Sequence, residues 1–261
     1  MLVFEHAFET RRVALMRPPA QYEEVACLLG RGMNDCQIAR LTGIPRGTVR
    51  DWRRKGRPRG NGPLGPDCPR CDGATLPDVP YAYLLGVYLG DGCISPAPKG
   101  VFKLRIVQDI RYPGIIEEIA LALVSVRPAK RMKVGRVPRT GCVELNAHWK
   151  HWPCLFPQHG PGRKHERRIQ FAPWQEEIAR LHPGMLLRGL VHSDGYRGLN
   201  WVNGKGYPRY LFTNVSSDIR DIFCHACDSY GVSWRQSKWN TISVARAPDV
   251  TRLDLAVGPK T

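Results

Sequence analysis

Two aspartates carry the chemistry that the sequence suggests most directly. Asp91 lies in Leu84-Leu-Gly-Val-Tyr-Leu-Gly-Asp-Gly92, and Asp194 lies in Leu187-Arg-Gly-Leu-Val-His-Ser-Asp-Gly195, 103 residues downstream. Four of the nine positions are identical: the leading Leu, the third-position Gly and the terminal Asp-Gly. Each aspartate ends a helical pattern, where the macrodipole disfavours negative charge. Side by side, the two carboxylates would also repel each other. A divalent cation held between them relieves both problems.

The elements around the aspartates repeat as well. Gly86 and Gly189 stand at mid-helix, at a cost of about 1 kcal/mol each relative to alanine. Such a cost is tolerated where two helix backbones approach closely. Gly90 and Ser193 place a second small residue four positions on, along the same face. Packing through these notches brings Asp91 and Asp194 out together at one edge. After Gly92 the pattern predicts a hairpin whose second strand is 101–107, a helix over 112–126 and a strand pair within 132–146. After Gly195 it predicts strands over 199–202 and 210–213, a helix over 217–230 and a strand pair within 233–245. Helix, two strands, helix, two strands occurs twice.

The charge points to a polyanion. Of 261 residues, 39 are Lys or Arg and 23 are Asp or Glu, a formal net charge of +16, and 43% are hydrophobic, enough for a sizeable core. Nucleic acid is the leading partner, and magnesium bridging carboxylates and phosphates is the chemistry expected at the acid pair. No uncharged apolar run approaches the roughly 20 residues of a membrane span. Residues 1–19 are broken by Glu5, His6, Glu9, Arg11 and Arg12 and do not read as a secretory signal. The nine cysteines, an odd number, are expected in a reducing compartment, the cytoplasm.

Residues 20–55 read as three short helices. The first spans 20–31 with an apolar stripe of Tyr22, Val25, Ala26, Leu28 and Leu29, and Gly32 turns the chain at its end. Asn34 caps the second, which runs through Leu41 with Ile38, Ala39 and Leu41 inward. Pro45 opens the third, which runs through Lys55. Ile38-Ala39-Arg40, Gly43-Ile44, Thr48-Val49-Arg50 and Trp52 together resemble a helix-turn-helix of the resolvase or sigma-factor type. In that reading Arg46, Thr48, Arg50, Arg53 and Arg54 face DNA, while Val49 and Trp52 face the core. A three-helix protein-binding module is the alternative.

Residues 56–80 form a Gly/Pro-rich linker that ends in Cys68-Pro-Arg-Cys71. Gly60, Gly62 and Gly65 match a dinucleotide fingerprint literally, but no strand precedes them and Pro63 interrupts any following helix. Cys68 and Cys71 have the spacing of half a zinc site. The other C-x-x-C, Cys224 and Cys227, lies in a helical pattern and is either the second half or two ordinary core thiols.

The two nonapeptides and their shared element order resemble the LAGLIDADG homing endonucleases in their single-chain, two-motif form, over about residues 80–260. That resemblance implies an α+β fold of two αββαββ units (81–164 and 165–261), whose four-stranded antiparallel sheets make a DNA-binding saddle. It follows an N-terminal extension (1–19) and the all-α helix-turn-helix domain. It implies a monomer acting as a pseudo-dimer on double-stranded DNA. Asp91 and Asp194, with Gly90 and Ser193 beside them, would hold Mg2+. Gln108 and Asn214 would be polar strand residues near the site. Lys164 and Lys260 would lie near the metal-bound water, with a phosphate clamp or a solvated side chain as alternatives. Lys103, Arg105, Lys133, Arg235 and Lys238 would meet DNA from the sheets. Leu89 and His192 stand where the family often has a further acid; a packed, hydrogen-bonded His192 is expected.

Three functions stay open: a site-specific, metal-dependent DNA endonuclease; a transcriptional regulator that keeps the saddle as a reading platform; and an intein remnant or maturase-like protein acting on RNA. The helix-turn-helix favours the second, and the presence of both acids favours the first.

Overall fold

The computed structural model describes residues 19–56, 67–127, 132–258 and 260. The expectations for residues 1–18 and for the glycine fingerprint at 60–65 lie outside them. The chain divides into two compact units, Met1–Leu64 and Gly65–Thr261.

The first unit contains α1 (Pro19–Gly30), α2 (Asp35–Thr42) and α3 (Arg46–Lys55). Asn34 accepts from the backbone of Cys36 and Gln37 while Gln37 returns a bond to the Asn34 N–H, a complete capping box. Gly43 ends α2 in the left-handed conformation at φ 67°. Val25, Ile38, Ile44, Val49 and Trp52 form the core. Leu41, expected inside, is 65% exposed. The inward face of α2 centres between Ile38 and Thr42, which places Leu41 about a quarter-turn away. Ala26, also expected inside, is exposed.

The second unit is α+β. Its first half runs α4 (Asp78–Asp91), β1 (Gly92–Ala97), β2 (Val101–Asp109), α5 (Pro113–Ser125), β3 (Val134–Arg139), β4 (Cys142–Trp149) and the short α6 (Trp152–Leu155). After α7 (Pro173–Leu181) the order recurs: α8 (Pro183–Asp194), β5 (Gly195–Val202), β6 (Lys205–Thr213), α9 (Ser217–Tyr230), β7 (Arg235–Lys238), β8 (Thr241–Val244) and α10 (Ala247–Val257). The two antiparallel sheets have the orders β1-β2-β4-β3 and β5-β6-β8-β7, the same arrangement twice. The β5–β6 turn is Asn203-Gly204, with φ of 49° and 76°. That pair suits the right-handed strand twist, so both strands extend to it.

Helix α4 is buried without interruption from Tyr81 to Leu89, as expected of a helix apolar on all sides. It packs on α8, and this pair makes the most extensive helix contact among the described residues. On β2, Leu104, Ile106 and Gln108 point inward and alternate with Lys103, Arg105 and Val107. The inner faces of both sheets join the core around α4 and α8.

Candidate active site

The α4–α8 crossing is set by missing side chains. A Cβ on Gly86 would lie 2.5 Å from the Leu186 carbonyl oxygen, and one on Gly189 would overlap the Tyr83 carbonyl. One turn on, a Cβ on Gly90 would overlap Ser193 and reach 2.9 Å from Oδ2 of Asp194. The two helices therefore end side by side, with Asp91 and Asp194 as their last residues.

Each carboxylate is held by an amide. Gln108 Nε2 donates to Asp91 Oδ2 at 2.6 Å, and Asn214 Nδ2 donates to Asp194 Oδ2 at 2.6 Å. Gln108 reaches the site because it shares the inward face of β2 with Leu104 and Ile106. Asn214 stands one residue past β6 rather than within it; its N–H bonds the Asn240 carbonyl, and its side-chain oxygen accepts from the Ser216 N–H.

Each helix end also carries a lysine. Lys164 Nζ donates to the carbonyls of Tyr88, Leu89 and Gly90 at 2.5, 2.8 and 2.9 Å. Lys260 Nζ donates to Val191 and Gly195 at 3.2 and 2.8 Å. A cation at a helix C-terminus satisfies orphan carbonyls and opposes the dipole that the aspartates aggravate. Both lysines are half-buried, so neither is a solvated side chain.

Burial, and then repulsion from Asp194, pushes Asp91 up to about 6. Burial also raises Asp194, against the opposing bond from Asn214. Burial lowers Lys164 to about 8 even though both aspartates favour its charge, and it lowers Lys260 in the same way. Two desolvated carboxylates whose charge is disfavoured suit a hard divalent cation. Asp91 and Asp194 would hold it. The Ser193 hydroxyl is turned back onto the Gly189 and Leu190 carbonyls, and the Gly90 carbonyl accepts from Lys164, so these groups are already engaged.

His192 lies buried beside the pair. Its Nε2 faces the Val257 carbonyl at 3.2 Å and its Nδ1 faces the Tyr83 hydroxyl at 3.1 Å. A carbonyl can only accept, so Nε2 carries the proton and Nδ1 accepts from Tyr83. Burial lowers its pKa to about 4 and keeps the ring neutral. It is a packed histidine, as expected.

Of the basic residues expected at DNA, Arg53 and Lys103 are held in ion pairs while others stand exposed. Arg53 ion-pairs with Asp35 at 3.0 Å and donates to the Met33 carbonyl, tying α3 to α2 instead of standing free. Arg46, Arg50 and Arg54 are exposed, and Thr48 is half-buried. Lys103 is paired with Glu144 at 2.8 Å, and Arg105 leans on the Cys93 sulfur at 3.7 Å. Lys133, Arg235 and Lys238 are exposed. Cys224 and Cys227 are core thiols of α9 and do not join Cys68 and Cys71. His151 and Cys154 lie there instead, and the sequence reading missed both. A cavity of about 440 Å³ lined by Arg168, Asp218, Asp221 and His225 includes neither acid.

No family model and no curated protein matches the chain. Among solved structures it is similar to mesophilic variants of the homing endonuclease I-DmoI, with 15% identity over 69% of this chain and 95% of that one, at a TM-score of 0.41. It is also similar to the homing endonuclease I-WcaI bound to its DNA recognition sequence, with 13% identity over 72% and 84%, at 0.46. A third is the LAGLIDADG meganuclease I-AabMI bound to uncleaved DNA, with 13% identity over 66% and 81%, at 0.41. Among the described residues no helix is long and apolar enough to cross a membrane.

Proposed function

We propose that the chain is a site-specific, metal-dependent endonuclease of double-stranded DNA that works as a monomer with two half-sites. One observation carries this reading: two half-buried carboxylates at the joined ends of α4 and α8, each held by one amide and flanked by one lysine. A structural ion pair would match each acid to a base. Here two acids face each other at a cost, which is the arrangement of a cation site.

The chain's residues have separable roles. Asp91 and Asp194 would hold Mg2+ or a similar divalent ion. When bound, that ion would polarise a phosphoryl oxygen and lower the pKa of an attacking water. Gln108 and Asn214 fix the carboxylate rotamers. Lys164 and Lys260 hold the helix ends and supply positive potential where phosphodiester hydrolysis builds negative charge. The outer sheet faces, with Lys133, Arg235 and Lys238, would contact the duplex. Arg46, Arg50 and Arg54 of α3 would add contacts from the first unit. The formal charge of +16 suits this polyanion. We place the protein in the cytoplasm, where nine unpaired thiols persist.

The test uses a duplex selected by binding. Asp91→Asn is expected to leave binding within about threefold and to abolish cutting of at least one strand. Loss of binding along with cutting would instead make the acid a structural residue.

A further inference from the structure

A second constellation lies away from the acid pair. Cys68 and Cys71 stand in the turn that leads toward α4, and His151 and Cys154 stand where β4 passes into α6. One ligand atom from each, three sulfurs and an imidazole nitrogen, lies within 4.8 Å of every other. Cys71 Sγ is 3.4 Å from Cys154 Sγ, and Cys154 Sγ is 3.7 Å from His151 Nδ1. Zinc bonds of about 2.3 Å to sulfur and 2.0–2.1 Å to nitrogen give a tetrahedron with edges of roughly 3.5–3.8 Å. The Cys71–Cys154 and Cys154–His151 separations are of about that size. A disulfide needs about 2.05 Å, so the sulfurs are not bonded.

The turn is built as a ligand loop. The N–H groups of Asp72 and Ala74 both donate to the Cys68 carbonyl, at 2.9 and 3.3 Å. Asp72 Oδ2 accepts from the Cys68 N–H at 3.1 Å. Gly73, at φ +69°, lets the chain leave the turn. Packing does not account for the cluster: Cys68 is buried but Cys71 is exposed, and an exposed thiol gains nothing from burial by standing there.

We propose that Cys68, Cys71, His151 and Cys154 bind one structural zinc ion. Four protein ligands close the coordination sphere, so the ion would be structural and not catalytic. It would staple the segment entering α4 to the segment leaving the first sheet, 80 residues later. The two strands of chain so joined run on to Asp91 and to Lys164. The proposal does not depend on the nuclease reading.

The test is metal analysis of the full chain purified from zinc-supplemented medium without an affinity tag. About one zinc per chain is expected. It should persist in the Asp91→Asn/Asp194→Asn variant and in Cys36→Ser, and it should fall by at least about fivefold in Cys71→Ser and Cys154→Ser. Exchange of the wild type with cobalt should give an intense thiolate-to-metal charge-transfer band, a readout that needs no variant to fold. Absence of zinc, zinc that disappears with the aspartates, or a cobalt spectrum without thiolate bands would overturn the proposal. So would a Cys71–Cys154 disulfide found by mass spectrometry.

Discussion

Gln108 donates its side-chain amide to Oδ2 of Asp91 at 2.6 Å. Asn214 makes the same bond to Asp194 at the same distance. The duplication therefore extends past the helices to the groups that orient each acid. Lys164 and Lys260 extend it again, each holding the carbonyls of one helix end. Each repeat supplies one acid, one amide and one lysine.

Charging Asp91 costs stability. Its pKa of about 6 in the fold exceeds the value near 4 of an unfolded chain, so the folded state binds the proton more tightly. In metal-free buffer the Asp91 contribution is greatest below about pH 4 and is lost as pH rises through about 6. Asp91→Asn should remove that loss and be more stable than wild type at pH 7, by roughly 1–3 kcal/mol. Other carboxylates, such as Asp254 beside Arg197, are lowered and carry the opposite sign. The difference between the two proteins in urea unfolding at pH 4.5 and 7 isolates Asp91. A variant less stable than wild type at pH 7 would contradict the assignment.

The helix crossing leaves no space for a methyl group. Gly189→Ala would press a Cβ into the Tyr83 carbonyl and toward the Val87 nitrogen, so backbone must move. A loss of roughly 3 kcal/mol is expected, the upper end for overpacking. Gly47→Ala, on α3 with nothing within 4 Å, should be neutral or stabilising by up to about 1 kcal/mol. Denaturant midpoints for the two variants check the contrast.

Much of this was legible in the sequence, for identifiable reasons. A helix that carries Gly86 and Gly90 on one face, echoed by Gly189 and Ser193, announces a close helix pair before any coordinates. Gln108 and Asn214 were expected only through the family resemblance; in the structure Gln108 shares the inward face of β2 with Leu104 and Ile106. The proposed zinc ligands His151 and Cys154 were not legible. A search for a second C-x-x-C passes over a His-x-x-Cys, and only the fold brings residues 80 positions apart together. The Arg53–Asp35 ion pair was not legible because α3's outward arginines look alike in sequence. Leu41 was misread because spacing marks an apolar stripe but not what covers it. Helix α7 went unread, although Pro173 opens it and Ile178 is buried on it.

DNA affinity should depend steeply on salt. With roughly 8 to 10 phosphates neutralised, log K should fall against log[salt] with a slope of about −7 to −9. Replacing the exposed Arg46, Arg50 and Arg54 together by Ala should reduce the slope by about 2.7 if each contacts one phosphate. Fluorescence anisotropy on a selected duplex measures both. A wild-type slope near −2, or a triple variant with an unchanged slope, would remove the proposed contacts.

Asp91 and Asp194 together are expected to cut DNA. The most direct measurement incubates the purified protein, and separately its Asp91→Asn/Asp194→Asn variant, with a randomised duplex library and magnesium, followed by sequencing of new ends. Discrete double-strand cuts with short overhangs, present with the wild type and absent with the variant, are predicted. Discrete sites recovered by pull-down without new ends, or ends that persist in the variant, would contradict it.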